Sequence, residues 1–155
     1  MKTKNKYFYP LGLSSKIKVT NKSPAHVGKL KHAVDFTCDE GTPIHAALGG
    51  EVVFVRDNSN VGGPDKKYWY KGNRIVIRHV NEEYSAYEHL RYRGAKVKVG
   101  NQVKTGQVIG YSGNTGYTFG PHLHFEVFRF TGPDKDEDYE TLEVKFQEHR
   151  ENKHA

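Results

Sequence analysis

Apolar and polar side chains alternate along several short stretches of this chain, and a period of two residues is typical of β-strands. The clearest stretch covers residues 119–128. Its apolar positions hold Leu123, Phe125 and Val127, and the polar positions between them hold His122, His124 and Glu126. Because successive side chains of a strand point to opposite faces, we expect the apolar three to face a core and both histidines to share the other face.

Similar stretches predict a fold that is mainly β, with long connecting loops and little helix. Strands are predicted at residues 16–20, 51–55, 74–79, 84–90 and 141–146, with short strands and tight turns between 97 and 110. The strands at 74–79 and 84–90 flank a turn at 81–83, which indicates a β-hairpin. We find no sustained helical periodicity and no internal repeat. We therefore expect one domain built on an antiparallel, sandwich-like β-sheet.

The length and composition of the chain agree with this organisation. Its 155 residues suit one domain, and its sixteen glycines, ten tyrosines and eight phenylalanines fit a β-rich fold with many turns. We divide it into an N-terminal lead-in with one short strand (1–25), a β-rich body with a closing strand (26–146) and a polar tail (147–155). The polar and aromatic stretch 56–72 is predicted to be a long loop.

Cysteine content and charge exclude some functions and leave others open. The single cysteine, Cys38, excludes an intrachain disulfide and a zinc site made of cysteines alone. The net charge of +6 suits a polyanionic partner, but simple solubility explains it equally well. Nucleic-acid binding would rest on charge and tyrosines alone, so we expect none. No apolar run could span a membrane, and Pro10 and Gly12 interrupt the stretch in which a signal peptide would lie.

Five segments of the chain, taken in order, form a pattern that is typical of one protein family. They read AVDF (33–36), EGTPIHAALGGEVVFV (40–55), YEHL (87–90), VKVGNQVKTGQVIGYSGNTG (97–116) and FGPHLHFEV (119–127). Together, over roughly residues 26–130, they resemble the lysostaphin/LytM-type zinc endopeptidases, which cut the peptides of bacterial cell walls. The resemblance implies a complete catalytic domain whose groove holds a metal site.

The resemblance also implies one zinc ion held by two histidines and one aspartate, beside two catalytic histidines. Carried over to this chain, the metal ligands are His26, Asp35 and His124, and the catalytic residues are His89 and His122. Such a ligand set leaves a net positive charge and an open fourth position for water. Zinc lowers the pKa of bound water from about 15.7 to about 7, and a nearby imidazole can accept its proton or stabilise an oxyanion.

The first metal ligand departs from the commonest family pattern, in which a histidine lies four residues before the aspartate. Lys31 occupies that position and cannot replace it. His32 lies three residues before Asp35, and on a strand their side chains would face opposite ways. His26 lies nine residues before Asp35, within PAHVGKLKHAVDF, which resembles an SH-x-G element of one family subgroup. We therefore favour His26 over His32 as the ligand.

Other side chains have supporting roles in this picture. Strand periodicity predicts that Tyr87 and His89 share a face. Glu126 shares the face of the two histidines and could accept a hydrogen bond from one of them. Part of a groove wall, which would influence the choice of substrate, is predicted to consist of three aromatic residues in the loop at 56–72, namely Tyr68, Trp69 and Tyr70.

The leading hypothesis is a zinc endopeptidase that hydrolyses stem peptides or cross-bridges of bacterial peptidoglycan by metal-activated water. The alternative is a non-catalytic family member that binds cell wall or activates a partner hydrolase. Peptidoglycan peptides are the expected partner, and a monomer is the default oligomeric state. Such a substrate implies an extracellular or cell-wall location, although no signal peptide is visible in the sequence.

Overall fold

The structure is a computed structural model that describes residues 1–12, 18–20 and 28–147. The strands are β1 (Lys2–Phe8), β2 (Lys18–Thr20), β3 (Val34–Thr37), β4 (Pro43–His45), β5 (Gly50–Arg56), β6 (Gly62–Gly63), β7 (Asn73–Arg78), β8 (Tyr84–Ala95), β9 (Gln102–Val103), β10 (Val108–Ser112), β11 (Gly116–Tyr117), β12 (His122–Phe130) and β13 (Tyr139–Gln147). Short 3-10 helices occupy Gly28–Leu30, Lys66–Tyr68 and Val80–Glu82. None of these helices is long and apolar enough to cross a membrane.

Eleven of the described strands form one sheet, whose main path runs β1-β13-β12-β8-β7-β5-β9. The strand β12 is central to it. Along one side β12 pairs with β8, and along the other it pairs first with β3 and then with β13, in each case antiparallel. The sheet is mixed because β1 runs parallel to β13. The prediction of a single, mainly β domain is confirmed. The expectation of a purely antiparallel sheet is wrong for the edge pair of β1 and β13.

The two faces of the sheet have different roles. Leu123, Phe125 and Val127 on β12 are fully buried in the main core, together with Ile75 and Ile77 on β7. The opposite face lines a groove of about 1070 Å³. Alternation on β12 therefore divides the side chains as the sequence predicts, with core residues on one face and the groove on the other.

Most predicted strands are present, but β1 was not predicted. The lead-in was expected to contain one short strand, whereas it also contributes β1, whose Tyr7 is fully buried in the core. The hairpin of β7 and β8 is confirmed. The predicted long loop at 56–72 contains the short strand β6 and one 3-10 helix. Its Trp69 and Tyr70 line the groove, which confirms that they form part of its wall, whereas Tyr68 lies outside the groove lining.

Candidate metal and catalytic site

Four ionisable side chains occupy one row across the groove face of the sheet. In the antiparallel pairings, Asp35 on β3 lies opposite His124 on β12, His124 lies opposite Glu88 on β8, and Glu88 lies opposite Arg74 on β7. Cross-strand neighbours on one face approach each other closely, because adjacent strands lie about 4.8 Å apart. Strand pairing therefore brings together residues that are separated by up to 89 positions in the sequence.

His124 lies between two carboxylates. Its Nε2 lies 2.8 Å from Glu126 Oε1 and its Nδ1 lies 3.3 Å from Asp35 Oδ1. Both His124 and Glu126 are buried. When Nε2–H donates to Glu126, the lone pair of Nδ1 faces Asp35, which is the arrangement that a metal-binding imidazole requires.

The donor atoms of Asp35 and His124 fit two positions around a zinc ion. Ligand atoms about 2.0–2.1 Å from a tetrahedral ion lie about 3.3 Å from each other. The distance between Asp35 Oδ1 and His124 Nδ1 is 3.3 Å, and one carboxylate with one imidazole is a donor pair that zinc accepts. The separation of these two atoms therefore matches that of two ligands of one zinc ion.

His122 and His89 flank this pair, and backbone carbonyls fix the orientation of both rings. His122 Nδ1 lies 2.8 Å from Gly120 O, and His89 Nδ1 lies 2.6 Å from Thr115 O. The two ring centroids are 4.5 Å apart. When each Nδ1–H donates to its carbonyl, each Nε2 carries the lone pair. The Nε2 of His122 lies 3.7 Å from Asp35 Oδ1, so it points toward the same space as the metal-binding atoms.

His89 lies on the groove face because of an irregularity in β8. Its φ is +69°, in the left-handed region that non-glycine residues rarely adopt. The register of β7 with β8 shifts at the same place, where Asn73 pairs with Leu90 and Arg74 pairs with Glu88. His89 is thus an extra residue in a β-bulge. The prediction that Tyr87 and His89 share a face is wrong, because Tyr87 is buried in the core while His89 lines the groove.

Burial and neighbouring charges shift the pKa values of His89 and His124 in opposite directions. Burial, together with the nearby imidazoles, lowers the pKa of His89 to about 4, so its ring is neutral at pH 7. Burial alone would lower the pKa of His124 as well, but the surrounding carboxylates, Glu88 first among them, raise it well above its ordinary value. A bound cation would replace the proton that these carboxylates favour.

Glu88 is a member of the site that the sequence analysis missed. Burial would raise its pKa, but Arg74 and the nearby histidines outweigh burial and hold that pKa at about 2, so Glu88 is ionised. Glu88, His124 and Glu126 also lie close enough together for their donor atoms to bind one cation. Period-2 alternation places Glu88 and His89 on opposite faces, and only the bulge brings both into the groove.

The wall behind His89 consists of tightly packed loops. Thr115 accepts from the backbone N–H of Asn73 and donates its hydroxyl to Leu90 O, at 3.1 and 2.6 Å. Gly116 has a φ of +85°, and a Cβ on it would lie 2.7 Å from Gly72 Cα. This close packing holds Thr115 O in place, and with it the ring of His89.

The structure removes one of the sequence arguments against His32 as the first ligand. His26 lies outside the described residues. His32 is half-buried in a turn, and its backbone N–H donates to Thr141 Oγ1 at 3.3 Å. Since β3 begins only at Val34, the parity argument that disfavoured His32 does not apply to it. The preference for His26 therefore rests on the family resemblance.

Comparison with known proteins decides the family. Residues 29–137 match the model of "Peptidase family M23". The chain belongs to peptidase family M23. The resemblance noted in the sequence is thereby confirmed.

Several named members of family M23 are similar to this chain. The peptidoglycan DD-endopeptidase ShyA of Vibrio cholerae is 38% identical over 109 residues, which are 70% of this chain and 21% of ShyA. Lysostaphin of Staphylococcus simulans is 38% identical over 120 residues, which are 76% of this chain and 19% of lysostaphin. The solved catalytic domain of that lysostaphin superposes with a TM-score of 0.55 at 28% identity, covering 90% of this chain and 88% of the domain. The chain thus spans about a fifth of the length of the curated relatives.

Proposed function

We propose that this M23 chain is a zinc endopeptidase that hydrolyses peptide bonds in bacterial peptidoglycan. The observation that carries the proposal is the 3.3 Å separation of Asp35 Oδ1 and His124 Nδ1, with His89 and His122 beside them. One zinc ion would be held by His26, Asp35 and His124. When bound there, zinc lowers the pKa of a water molecule and polarises the carbonyl of the scissile peptide bond.

His89 and His122 would carry out the proton transfers. Both present an Nε2 lone pair to the site because each Nδ1 is held by a carbonyl oxygen. An unprotonated Nε2 can accept a proton from the attacking water, and the resulting imidazolium can protonate the leaving amine or stabilise the oxyanion. Glu126 would keep the ring of His124 oriented.

The names of the relatives support peptidoglycan as the substrate class. ShyA is called a peptidoglycan DD-endopeptidase, and ALE-1 of Staphylococcus capitis, 36% identical over 119 residues, a glycyl-glycine endopeptidase. Action on the cell wall would place this protein outside the cytoplasmic membrane.

The test of this function combines metal content with wall hydrolysis. Purified protein should contain about one zinc per chain and release new amino groups from isolated peptidoglycan. Chelation or His124→Ala should abolish both. Full activity of a metal-free sample would contradict the proposal. A zinc-loaded protein that cleaves no wall material would instead favour the non-catalytic alternative.

The identity of the first ligand has its own test. We expect His26→Ala to lose zinc and activity, and His32→Ala to keep both, because His26 is the proposed third protein ligand. Zinc stoichiometry of the two purified variants, measured beside wild type, decides between them. Loss of zinc in His32→Ala alone would overturn the assignment.

A further inference from the structure

The groove extends well beyond the proposed metal site, across three rows of cross-strand neighbours. The first row ends at Arg74, two strands from His124 and therefore roughly 10 Å away. The second row contains Val76 and Ala86, with Glu126 opposite Ala86 on β12. The third row contains Tyr84 and Arg78, beside Phe128. A peptide bound at the metal thus has Arg74 beneath it first, then two small apolar side chains, and then aromatic rings.

Three arginines line this groove, and two of them are already engaged by close contacts. Arg56 donates from Nε and Nη2 to Gly72 O at 3.0 and 2.8 Å. Arg78 makes a 2.7 Å ion pair with Glu82. Arg74 differs, because its nearest carboxylate oxygen, on Glu88, lies 3.9 Å from Nη2. That distance exceeds a charge-assisted hydrogen bond by about 1 Å.

The guanidinium of Arg74 also contains a buried donor. Its Nε is enclosed by protein and has no hydrogen-bond partner among the described residues. The ring of Phe54 lies 5.7 Å from Cζ of Arg74, and the Arg74 side chain, 33% exposed, lines the groove. Because Nε is enclosed, a bound acceptor would hydrogen-bond the terminal Nη1 and Nη2 of the guanidinium.

We propose that Arg74 is a specificity-determining residue that binds a free carboxylate of the substrate peptide. The inference rests on the proposed function and deepens it. An extended peptide rises about 3.3 Å per residue, so the recognised carboxylate would lie within about three residues of the scissile bond. The planar fork of arginine matches a carboxylate in two parallel hydrogen bonds.

The proposed role of Arg74 distinguishes two classes of peptidoglycan substrate, glycine bridges and stem peptides. A run of glycines carries no side-chain charge and offers Arg74 only backbone carbonyls. A stem peptide with a free carboxylate offers a charged acceptor, and hydrogen bonds to charged groups are the stronger ones. The groove therefore favours carboxylate-bearing stem peptides over neutral glycine bridges.

Trp69 allows binding to be measured without cleavage. It is the only tryptophan of the chain and it lines the groove, so its fluorescence reports a bound peptide. The probes are soluble peptidoglycan fragments released by a glycosidase, the same fragments with their carboxyl groups converted to methylamides, and acetyl-pentaglycine amide. For the zinc-loaded protein we expect the untreated fragments to bind about tenfold or more tightly than either neutral probe.

Variants of Arg74 separate this role from a structural one. Arg74→Gln should weaken binding of the untreated fragments about tenfold and leave the methylamide form unchanged. Arg74→Gln leaves Glu88 without its partner. The double variant Arg74→Gln/Glu88→Gln therefore serves as the second test, and it should show the same lost preference when compared with wild type at equal zinc loading. Arg129→Gln is the matched control, since Arg129 pairs with Glu140 away from the groove lining.

Three outcomes would overturn the inference. They are equal binding of untreated and methylamide fragments by wild type, equal weakening of both by Arg74→Gln, and a similar loss in Arg129→Gln. Hydrolysis of the same probes distinguishes the two proposals. Charge-selective binding without any cleavage would refute the endopeptidase and keep the role of Arg74, whereas cleavage without charge preference would do the reverse.

Discussion

His124 has a carboxyl group beside each of its ring nitrogens, and these two groups, on Asp35 and Glu126, have different roles in the proposed site. Asp35 lies beside Nδ1, on the side of the proposed metal, whereas Glu126 accepts from Nε2 behind it. Burial raises the pKa of Glu126, and the nearby charge of Glu88 raises it further.

Replacing Glu126 should therefore weaken zinc binding by its effect on His124. We expect Glu126→Ala to lower zinc affinity by about 10–100-fold, because the ring loses the acceptor that orients it. Glu126→Gln should lose much less, since its amide oxygen still accepts from His124. Competition with a chromophoric chelator measures both affinities. Equal affinities for wild type and Glu126→Ala would contradict this role.

Two glycines allow the cost of backbone strain to be compared with the cost of disturbing the close packing behind His89. Gly116 and Gly100 both have positive φ, of +85° and +95°, but only Gly116 has neighbours where a Cβ would be. Gly100→Ala should cost about 1–2 kcal/mol of stability from strain alone. Gly116→Ala should cost about 1–3 kcal/mol more and reduce activity, because the new methyl group would displace Gly72 and the ring of His89.

Urea unfolding and wall hydrolysis of the two glycine variants test this difference. Gly100→Ala is expected to keep wild-type activity and zinc content, since nothing lies within 4 Å of its new Cβ. Equal stability and activity in the two variants would show that the Gly116–Gly72 approach does not support His89.

Elements with regular alternation were predictable, and irregular ones were not. In β12 the apolar residues occupy every second position, so the sequence alone separates Leu123 from His122 and His124. In β8 the left-handed φ of His89 interrupts the alternation, and no residue type in the sequence YEHL indicates this interruption. Family resemblance pointed to His89, whose ring lies 4.5 Å from that of His122, whereas periodicity placed His89 on the wrong face. Neither approach suggested Glu88 or Arg74.

The strand β1 escaped prediction because its buried face is polar. Along KTKNKYF the lysines face solvent, while Thr3, Asn5 and Tyr7 are buried. A search for alternating hydrophobic residues does not detect such a strand. Its inward polar groups need partners that lie far away in the sequence. Glu83 supplies them, accepting from Lys4 N at 2.6 Å, from Asn5 N at 3.2 Å and from the Tyr7 hydroxyl at 3.0 Å.

Removing Glu83 should loosen β1 from the sheet. We expect Glu83→Ala to cost about 3 kcal/mol or more, because three donors lose their acceptor in a buried setting. Its neighbour Glu82 is the control, since Glu82 makes an exposed ion pair with Arg78 and Glu82→Ala should change stability by less than about 1 kcal/mol. Urea unfolding measures both. A similar small effect in the two variants would show that β1 is held by other contacts.

Across the whole molecule, the buried His79 links stability to pH. Its Nδ1 lies 2.8 Å from Gly49 O and its Nε2 lies 2.7 Å from Ser85 Oγ, so both nitrogens are used by the neutral ring. Burial lowers the pKa of His79 below its ordinary value. The unfolded chain, with a histidine pKa of about 6.5, therefore binds a proton that the folded protein excludes. Stability from this group is complete above about pH 6.5 and decreases as the pH falls below it, by at most about 1.4 kcal/mol per pH unit.

The contribution of His79 can be separated from that of the metal site by comparing variants. Zinc-loaded wild type should lose more stability between pH 7 and pH 5 than zinc-loaded His79→Gln, because only wild type has this buried imidazole. Tyr7→Phe is the matched control, since the Tyr7 ring packs against His79 at 5.4 Å and the change removes a hydroxyl but leaves the imidazole. We expect Tyr7→Phe to be less stable at every pH and to keep the wild-type slope. Identical slopes for wild type and His79→Gln would show that His79 does not contribute to the acid sensitivity of the fold.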